Sequence, residues 1–271
     1  MNAKSLIAQF DQIMDEPESV RKLRGLLRDV AVRGLLVAQE ANDAPAAELL
    51  LAIADRESLD SHRKTHNEST SIDSEGTPFP LPPKWEWALF NRIARIESNL
   101  VDPGKYPDSP HVAPDNIESG TGRLLPYRTI RESKVTSGKH IFPAGVILYS
   151  KIRPALSKVV VVDFPGLCSA DMYPIRPFVS REYLHLYMLS DVFVRQSTAT
   201  DNRVAMPKIN QASLSKILVA VPPLPEQERI VAKLSQLMTL CDQLETQLAK
   251  ESSTRSHLLD AILHEAIKPL V

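Results

Sequence analysis

Val221-Pro222-Pro223-Leu224-Pro225-Glu226-Gln227-Glu228-Arg229-Ile230-Val231 divides this chain into two kinds of sequence. Its prolines cannot sit inside a helix, so they end whatever precedes them. Pro225, followed by the acids Glu226 and Glu228, is in turn a good helix start. Proline suits the first helical position, and early carboxylates favour the helix dipole. Beyond it apolar or small residues recur at Ile230, Leu234, Leu237, Cys241, Leu244 and Leu248, in steps of four and three. That is the spacing of a coiled-coil seam. Glu251 and Arg255 interrupt the phase, which resumes at Leu258 and Ile262. From Glu226 to about Ile267 the predicted helix is roughly 60 Å long at 1.5 Å per residue. Packing of the same stripe in an ordinary core also fits the periodicity.

Upstream of the junction, Pro and Gly punctuate short β-prone runs: Val146-Ile147-Leu148-Tyr149, Val159-Val160-Val161-Val162 and Ile217-Leu218-Val219-Ala220-Val221. A helical pattern lies between them, around Glu182 to Val194. The pattern predicts an α+β fold: a mixed domain over residues 81–225, flanked by N-terminal helices and the long C-terminal helix over 226–268. The N-terminal segment, residues 1–54, carries a short amphipathic helix over 5–14. It continues with Asp15-Glu16-Pro17-Glu18 as a capping box with an early proline. The next helix has Val20, Leu23, Leu27 and Val30 on one face and is weakened or ended by Gly34; a short helix over Ala46 to Ala54 follows. Residues 55–80 are rich in Ser, Thr, Asp, Glu and His, the composition of a polar linker that buries too little surface to order itself.

The 271 residues suffice for one sizeable core with helical appendages. Two cysteines, Cys168 and Cys241, stand far apart without metal-ligand spacing, as suits a reducing cytosol and not a disulfide scaffold. The N-terminus reads as lacking a signal peptide, and no run approaches the ~18 apolar residues of a membrane span. The formal net charge of −1 hides an asymmetry. Residues 80–225 hold 18 basic and 12 acidic residues, about +6, and the remainder about −7. Within 121–158 lie eight basic residues and one acid, Glu132. Clustered Lys and Arg are the main source of DNA affinity, through release of phosphate counterions; a solvated basic face is the plainer reading. Candidate DNA-binding residues are Arg123, Arg128, Arg131, Lys134, Lys139 and Lys158, with Ser150, Lys151 and Arg153 from Ser150-Lys151-Ile152-Arg153-Pro154. This stretch follows a β-prone run directly, and alternation places Lys151 and Arg153 on one face, fit for phosphates or a guanine edge. The polar stretch Asp201 to Gln211 adds Arg203, Lys208 and Asn210.

The junction Pro-Pro-Leu-Pro-Glu-Gln-Glu-Arg-Ile-Val resembles that of specificity subunits of type I restriction–modification systems, where a target-recognition domain meets a conserved spacer helix. Other stretches agree: Lys22-Leu23-Arg24 through Ala31-Val32-Arg33-Gly34-Leu35-Leu36-Val37, then Asn42-Asp43-Ala44-Pro45-Ala46-Ala47-Glu48-Leu49-Leu50, Trp85-Glu86-Trp87, and Leu148-Tyr149-Ser150-Lys151-Ile152-Arg153-Pro154. The resemblance implies a DNA-recognising chain without catalytic residues of its own. Methyltransferase subunits would supply S-adenosylmethionine chemistry, and a translocating restriction subunit would supply ATP- and Mg²⁺-dependent cleavage. Complete members of that family carry two recognition domains, whereas one fits here. The resemblance therefore implies a half-length form. Two copies paired through their helices as a homodimer, or a different specificity chain, would complete the bipartite double-stranded DNA target.

Two other readings stay open. Asp108 or Asp115, followed by Glu132-Ser133-Lys134, matches a PD-(D/E)xK nuclease loosely; it requires the acids and the lysine on adjacent strands around Mg²⁺. A purely structural scaffold would use the helices and no DNA. No phosphate-binding Gly-x-x-x-x-Gly-Lys-Ser/Thr, dinucleotide-binding Gly-x-Gly-x-x-Gly or methyl-donor loop is present, and no metal site or bound cofactor is expected on this chain.

Overall fold

The computed structural model describes residues 17–60, 76–199 and 207–267. The expected helix over 5–14 and most of the polar linker lie outside them. By its internal contacts the chain divides into two compact units: Arg28–Val231, and Met1–Leu27 with Ala232–Val271. This differs from the four expected segments, because residues 28–60 group with the mixed domain.

In the first unit the sheets assemble from short strands. β1 (Glu86–Leu89) pairs with β11 (Leu218–Val221). A four-stranded sheet has the order β2-β10-β7-β8, from Ala94–Ile96, Met172–Pro177, Val146–Ser150 and Val159–Val162. A five-stranded sheet has the order β3-β6-β9-β4-β5, from Leu100–Val101, Lys139–Phe142, Gly166–Ser169, Pro110–Val112 and Arg128–Thr129. Pairing is antiparallel except between β4 and β9. At that parallel pair the backbones approach so closely that a Cβ on Gly166 would meet the Pro110 carbonyl oxygen at 2.8 Å.

The three β-prone runs all become strands. β7 is buried along its whole length, which is why Val-Ile-Leu-Tyr shows no alternation. Val146, Leu148, Val160, Val162 and Met172 meet Val112, Ile117, Phe142 and Cys168 in one apolar core. Each such side chain contributes about 1.5–3 kcal/mol when fully buried.

The single helical pattern of Glu182 to Val194 is two helices, α5 (Arg181–Met188) and α6 (Asp191–Thr198). Ser180 and Ser190 cap them, their hydroxyls accepting the Tyr183 and Phe193 amides. The buried Tyr183 and Tyr187 hydroxyls donate to the Ala220 and Leu218 carbonyls of β11, at 2.8 and 3.1 Å. Gln196 accepts the Leu218 amide and donates to its carbonyl, so a side-chain amide stands in for a missing strand.

On the N-terminal side, α1 spans Pro17–Val32 and gives way to Gly34 at φ +72°. The Gly34 and Leu35 amides return to Ala31 and Val30, a glycine helix stop. α2 spans Ala46–Asp60, six residues beyond the expected end at Ala54. Arg95 of β2 pairs with Glu57 at 2.6 Å, so a segment assigned to the linker is helix tied to a strand.

In the other unit, Arg24 of α1 donates to Asp242 and Glu245, at 2.5 and 2.7 Å. Both acids belong to α8, which runs from Leu224 to Ile267. The seam is graded: Leu234 and Cys241 are buried, Leu237, Leu244 and Leu248 are half-buried, and Leu258 and Ile262 are 62% and 57% exposed. The last two find no cover among the described residues.

Candidate nucleic-acid interface

The expected cations fall into three groups once their surroundings are known. Two of the expected DNA-binding residues are buried, which corrects their placement on the exposed basic face. Lys139 lies on β6 with its Nζ donating to the carbonyl and hydroxyl oxygens of Ser137, both at 2.7 Å; burial lowers its pKa. Ser150 ends β7 with its hydroxyl donating to the Ile152 carbonyl at 3.1 Å. In each case the polar atom is spent on the chain's own backbone.

A second group is exposed or partly exposed but engaged. Arg123 grips Glu118 through two bonds of 2.9 and 2.8 Å. Its loop is held by Arg28, which donates to the Gly120 carbonyl at 2.7 Å, and by the approach of Gly122 to His185. A Cβ on Gly122 would lie 2.6 Å from the half-buried His185 ring, whose pKa desolvation lowers to about 4. Arg131 pairs with Asp108 at 2.9 Å. Lys158 donates to the Pro114 carbonyl at 2.7 Å, with Asp115 at 3.8 Å. Lys208 meets Asp171 at 3.2 Å, and the Lys151 ammonium lies 5.4 Å from the Tyr173 ring centroid. Asn210 caps α7 (Gln211–Ser215), its carbonyl accepting the Ser213 amide at 2.8 Å.

The third group is Lys134 and Arg153, with Arg128 beside them in character. Lys134 and Arg153 are exposed, and their side chains have no partner among the described residues. Both sit on left-handed backbone, at φ 52° and 49°. Lys134 ends α4 (Ile130–Ser133), and Arg153 opens the turn Pro154–Leu156, which closes on a further left-handed residue, Ser157. Such backbone persists where the surroundings over-determine it. Here the Arg153 amide donates to Pro207, and Ile209 returns a bond to Lys151, at 2.8 and 2.9 Å. The strand stops at Ser150, so alternation does not place Lys151 and Arg153 on one face; paired segments 151–153 and 207–209 position them instead. Arg128 is exposed on β5 near Glu132. Arg203 lies outside the described residues.

The acids do not form the nuclease arrangement. Glu132 is on the one-turn helix α4, where it closes a capping box by accepting the Thr129 amide and hydroxyl at 2.8 and 2.9 Å. Those bonds hold its pKa below the usual carboxylate value. Asp108 is occupied by Arg131, and Asp115 lies in a short 3-10 turn. An open groove of about 1000 Å³ runs past Tyr106, Phe142 and Leu167, but its acids Glu97 and Asp108 are neutralised by Arg176 and Arg131.

Sequence reasoning missed a second polar constellation, at the junction. Glu226 and Gln227 are fully buried in the first turn of α8. Gln227 accepts the Ser180 amide and donates to the Pro222 carbonyl, both at 2.9 Å. Arg229 grips Asp43 with both terminal nitrogens. Gln39 donates to Glu226 at 3.2 Å and to the Pro83 carbonyl at 2.6 Å. Lys84 donates to the carbonyls of Glu40, Ala41 and Asp43. Burial raises the Glu226 pKa against the opposing effect of the Trp85 indole, although Trp85 Nε1 and Glu226 Oε1 close no bond of ordinary geometry. A signal was available: stepping the seam back four residues from Ile230 lands on Glu226, marking it as inward-facing.

Residues 91–251 match the family model described as the type I restriction modification DNA specificity domain. The type I restriction enzyme EcoDI specificity subunit of Escherichia coli is 37% identical over 267 residues, 98% of this chain and 56% of that protein. The EcoAI specificity subunit, also from Escherichia coli, is 30% identical over 260 residues, 90% of this chain and 44% of its own length. Among solved structures, the HsdS subunit from Thermoanaerobacter tengcongensis matches with a TM-score of 0.60 and 25% identity, over 73% of this chain and 53% of that one. The chain thus spans about half the length of the curated relatives it matches.

Proposed function

Because the chain belongs to the family of type I restriction–modification DNA specificity proteins, we propose that it selects the DNA sequence on which such a complex acts. In this reading residues 81–225 recognise double-stranded DNA, and the helix over 226–268 serves as spacer and association surface. Methyltransferase and restriction subunits carry the chemistry, with S-adenosylmethionine, ATP and Mg²⁺ bound on those partners. The chain itself contributes recognition and no catalytic group. The complex works in the cytoplasm; no helix among the described residues is long and apolar enough to cross a membrane.

The observation that carries this reading is the exposure of Arg153, Lys134 and Arg128 on the domain that contains the family match. Cations on anchored turns suit phosphates, which position a protein on the duplex, and an arginine also suits a guanine edge. The exposed leucines late in α8 support association of two copies. A symmetric pair would read an interrupted palindrome, because both half-sites would meet identical residues.

The test is co-purification with the neighbouring methyltransferase and sequencing of methylated sites, beside mobility shifts over a range of salt. Expected are one bipartite methylated sequence and salt-dependent binding. Absence of salt-sensitive DNA binding favours the scaffold reading. Mg²⁺-dependent cutting by the purified chain, lost in Glu132→Ala, favours the nuclease.

A further inference from the structure

One carboxylate stands among the cations around Arg153. β7 and β10 pair as far as Ser150 opposite Met172. One step beyond, the Lys151 amide donates to the Asp171 carbonyl at 2.9 Å, and the Asp171 amide donates to the Ser169 hydroxyl at 3.2 Å. Ile152 bridges to Lys208, and the Arg153 amide donates to Pro207. Segments 151–153, 169–171 and 207–209 thus form one hydrogen-bonded rim. Its charged side chains are Lys151, Arg153, Lys208 and Asp171.

The acid is held in place but only partly used. Its side chain is 42% exposed, and Oδ1 meets the Lys208 ammonium at 3.2 Å. Oδ2 has no partner among the described residues. Lys151, on the facing strand, sends its ammonium over the Tyr173 ring instead. The paired acids elsewhere in the domain differ. Asp43 is buried and holds Arg229 with both oxygens, and Glu118 gives both of its oxygens to Arg123. A half-exposed, one-oxygen pair contributes little stability, so holding Lys208 does not account for Asp171.

On a surface that meets DNA, a carboxylate has a narrow use. Phosphate oxygens only accept hydrogen bonds, so an ionised acid repels them and weakens its neighbouring cations. The donors a duplex offers in its major groove are the amino groups of adenine and cytosine. Adenine places the N7 acceptor beside its amino group, against the second oxygen of a carboxylate. Cytosine presents its amino group alone, and the acceptors of that pair, O6 and N7, lie on guanine. An acid set beside cations matches a G·C pair: carboxylate to cytosine, cation to guanine.

We propose that Asp171 is a specificity-determining residue that reads cytosine, its Oδ2 accepting from the N4 amino group in the major groove. The exposed guanidinium of Arg153 suits the guanine side. The assignment rests on the DNA-specificity reading above and deepens it, because Asp171 adds selectivity and no general affinity.

The test is selection of bound duplexes from a randomised pool by the chain purified with its methyltransferase, followed by sequencing. The parent is compared with Asp171→Asn, Asp171→Ala and Lys208→Met, each shown to be folded by circular dichroism. The parent is expected to enrich cytosine at one position of its half-site. Both Asp171 variants should lower that enrichment by about ten- to a hundredfold at that position alone. Their affinity for random duplex should not fall, because a repelling charge is gone. Lys208→Met should keep the cytosine preference. Asp171 variants with the parent's preference at every position overturn the assignment and leave the DNA reading standing. So does a loss spread evenly over all sequences and shared by Lys208→Met, which would make Asp171 only a support for Lys208. A changed preference for adenine in place of cytosine overturns the choice of base. A parent that selects no sequence overturns the DNA reading itself.

Discussion

The junction around Arg229 and the turn around Arg153 are both rich in charge, and they use it in opposite ways. At the junction Glu226, Gln227 and Asp43 are buried, and each touches a specific partner. At the turn the Arg153 guanidinium is exposed with no partner among the described residues, although its backbone is as firmly held. A charge spent on the chain's own groups stabilises or orients the fold. A charge left free on rigid backbone is available to something outside. Density of cations along the sequence cannot separate the two, because pairing depends on what folding brings alongside.

The sharpest way to break this comparison is to measure stability in both places. Ile230→Ala at the centre of the junction should cost about 2–5 kcal/mol, the usual range for removing a buried aliphatic side chain. Arg153→Ala should change stability by no more than about 0.5 kcal/mol, as for an exposed side chain without partners. Urea unfolding followed by circular dichroism checks both. Equal losses at the two positions would remove the distinction.

DNA affinity should reverse the ranking. Arg153→Ala combined with Lys134→Ala should weaken binding by about ten- to a hundredfold at low salt and reduce the slope of log K against log salt by about 2. Arg123→Ala and Arg131→Ala start from cations already paired with Glu118 and Asp108, and should change the slope less. If the paired arginines matter more than the free ones, pairing in the unbound chain does not predict which cations meet phosphate.

Much of this fold was legible in the sequence, and the reasons for the failures are specific. Proline and glycine punctuation located β7, β8 and β11, and the four-three spacing located α8, because these signals depend on neighbours in sequence. α2 runs past Ala54 into the stretch read as linker, where its Glu57 meets Arg95, about forty residues away. The helical pattern of 182–194 split because Ser190 caps a second helix in mid-run. The DNA-facing candidates were legible only as a set. Lys139 and Ser150 dropped out of the exposed face through burial on strands β6 and β7, and the Lys151–Arg153 alternation lapsed where β7 ends. The junction constellation was half legible: Glu226 lay on the extrapolated seam, but Asp43 and Gln39, nearly two hundred residues away, could not be paired with it from spacing.

Acidification should sharpen the comparison more gently. The Arg229 bond, and its charge, hold the Asp43 carboxyl below the ordinary aspartate value of 3.8. A depressed folded-state pKa contributes stability above the unfolded value that is lost as pH falls through the folded one. The difference between parent and Asp43→Asn should therefore be largest near neutral pH and shrink below about pH 4. Burial gives Glu226 the opposite sign, its stabilising protonated form being lost as pH rises through its raised pKa. Among the described residues no charged group partners Arg153, so Arg153→Ala should differ from the parent by a similarly small amount at neutral and at acid pH.

The smallest effect on the isolated chain belongs to the far end of α8. Leu258 and Ile262 continue the apolar pattern of Leu234 and Cys241, yet they are exposed where the earlier pair is buried. Leu258→Ser with Ile262→Ser should leave unfolding of the dilute, single chain unchanged within about 0.5 kcal/mol, because little buried surface is lost. If the exposed end is where two copies pair, the parent's melting temperature should rise with protein concentration, since anything that binds only the folded state stabilises it by mass action. The double serine variant should lose that dependence, and sedimentation velocity at micromolar concentration should show it as a monomer beside a dimeric parent. Weak nonspecific DNA binding should survive in it, because Arg153 and Lys134 are untouched, whereas binding to the bipartite site should fall toward that of one half-site. A parent that stays monomeric at these concentrations, alone and with its methyltransferase, would sink self-association and leave the late seam to a different partner.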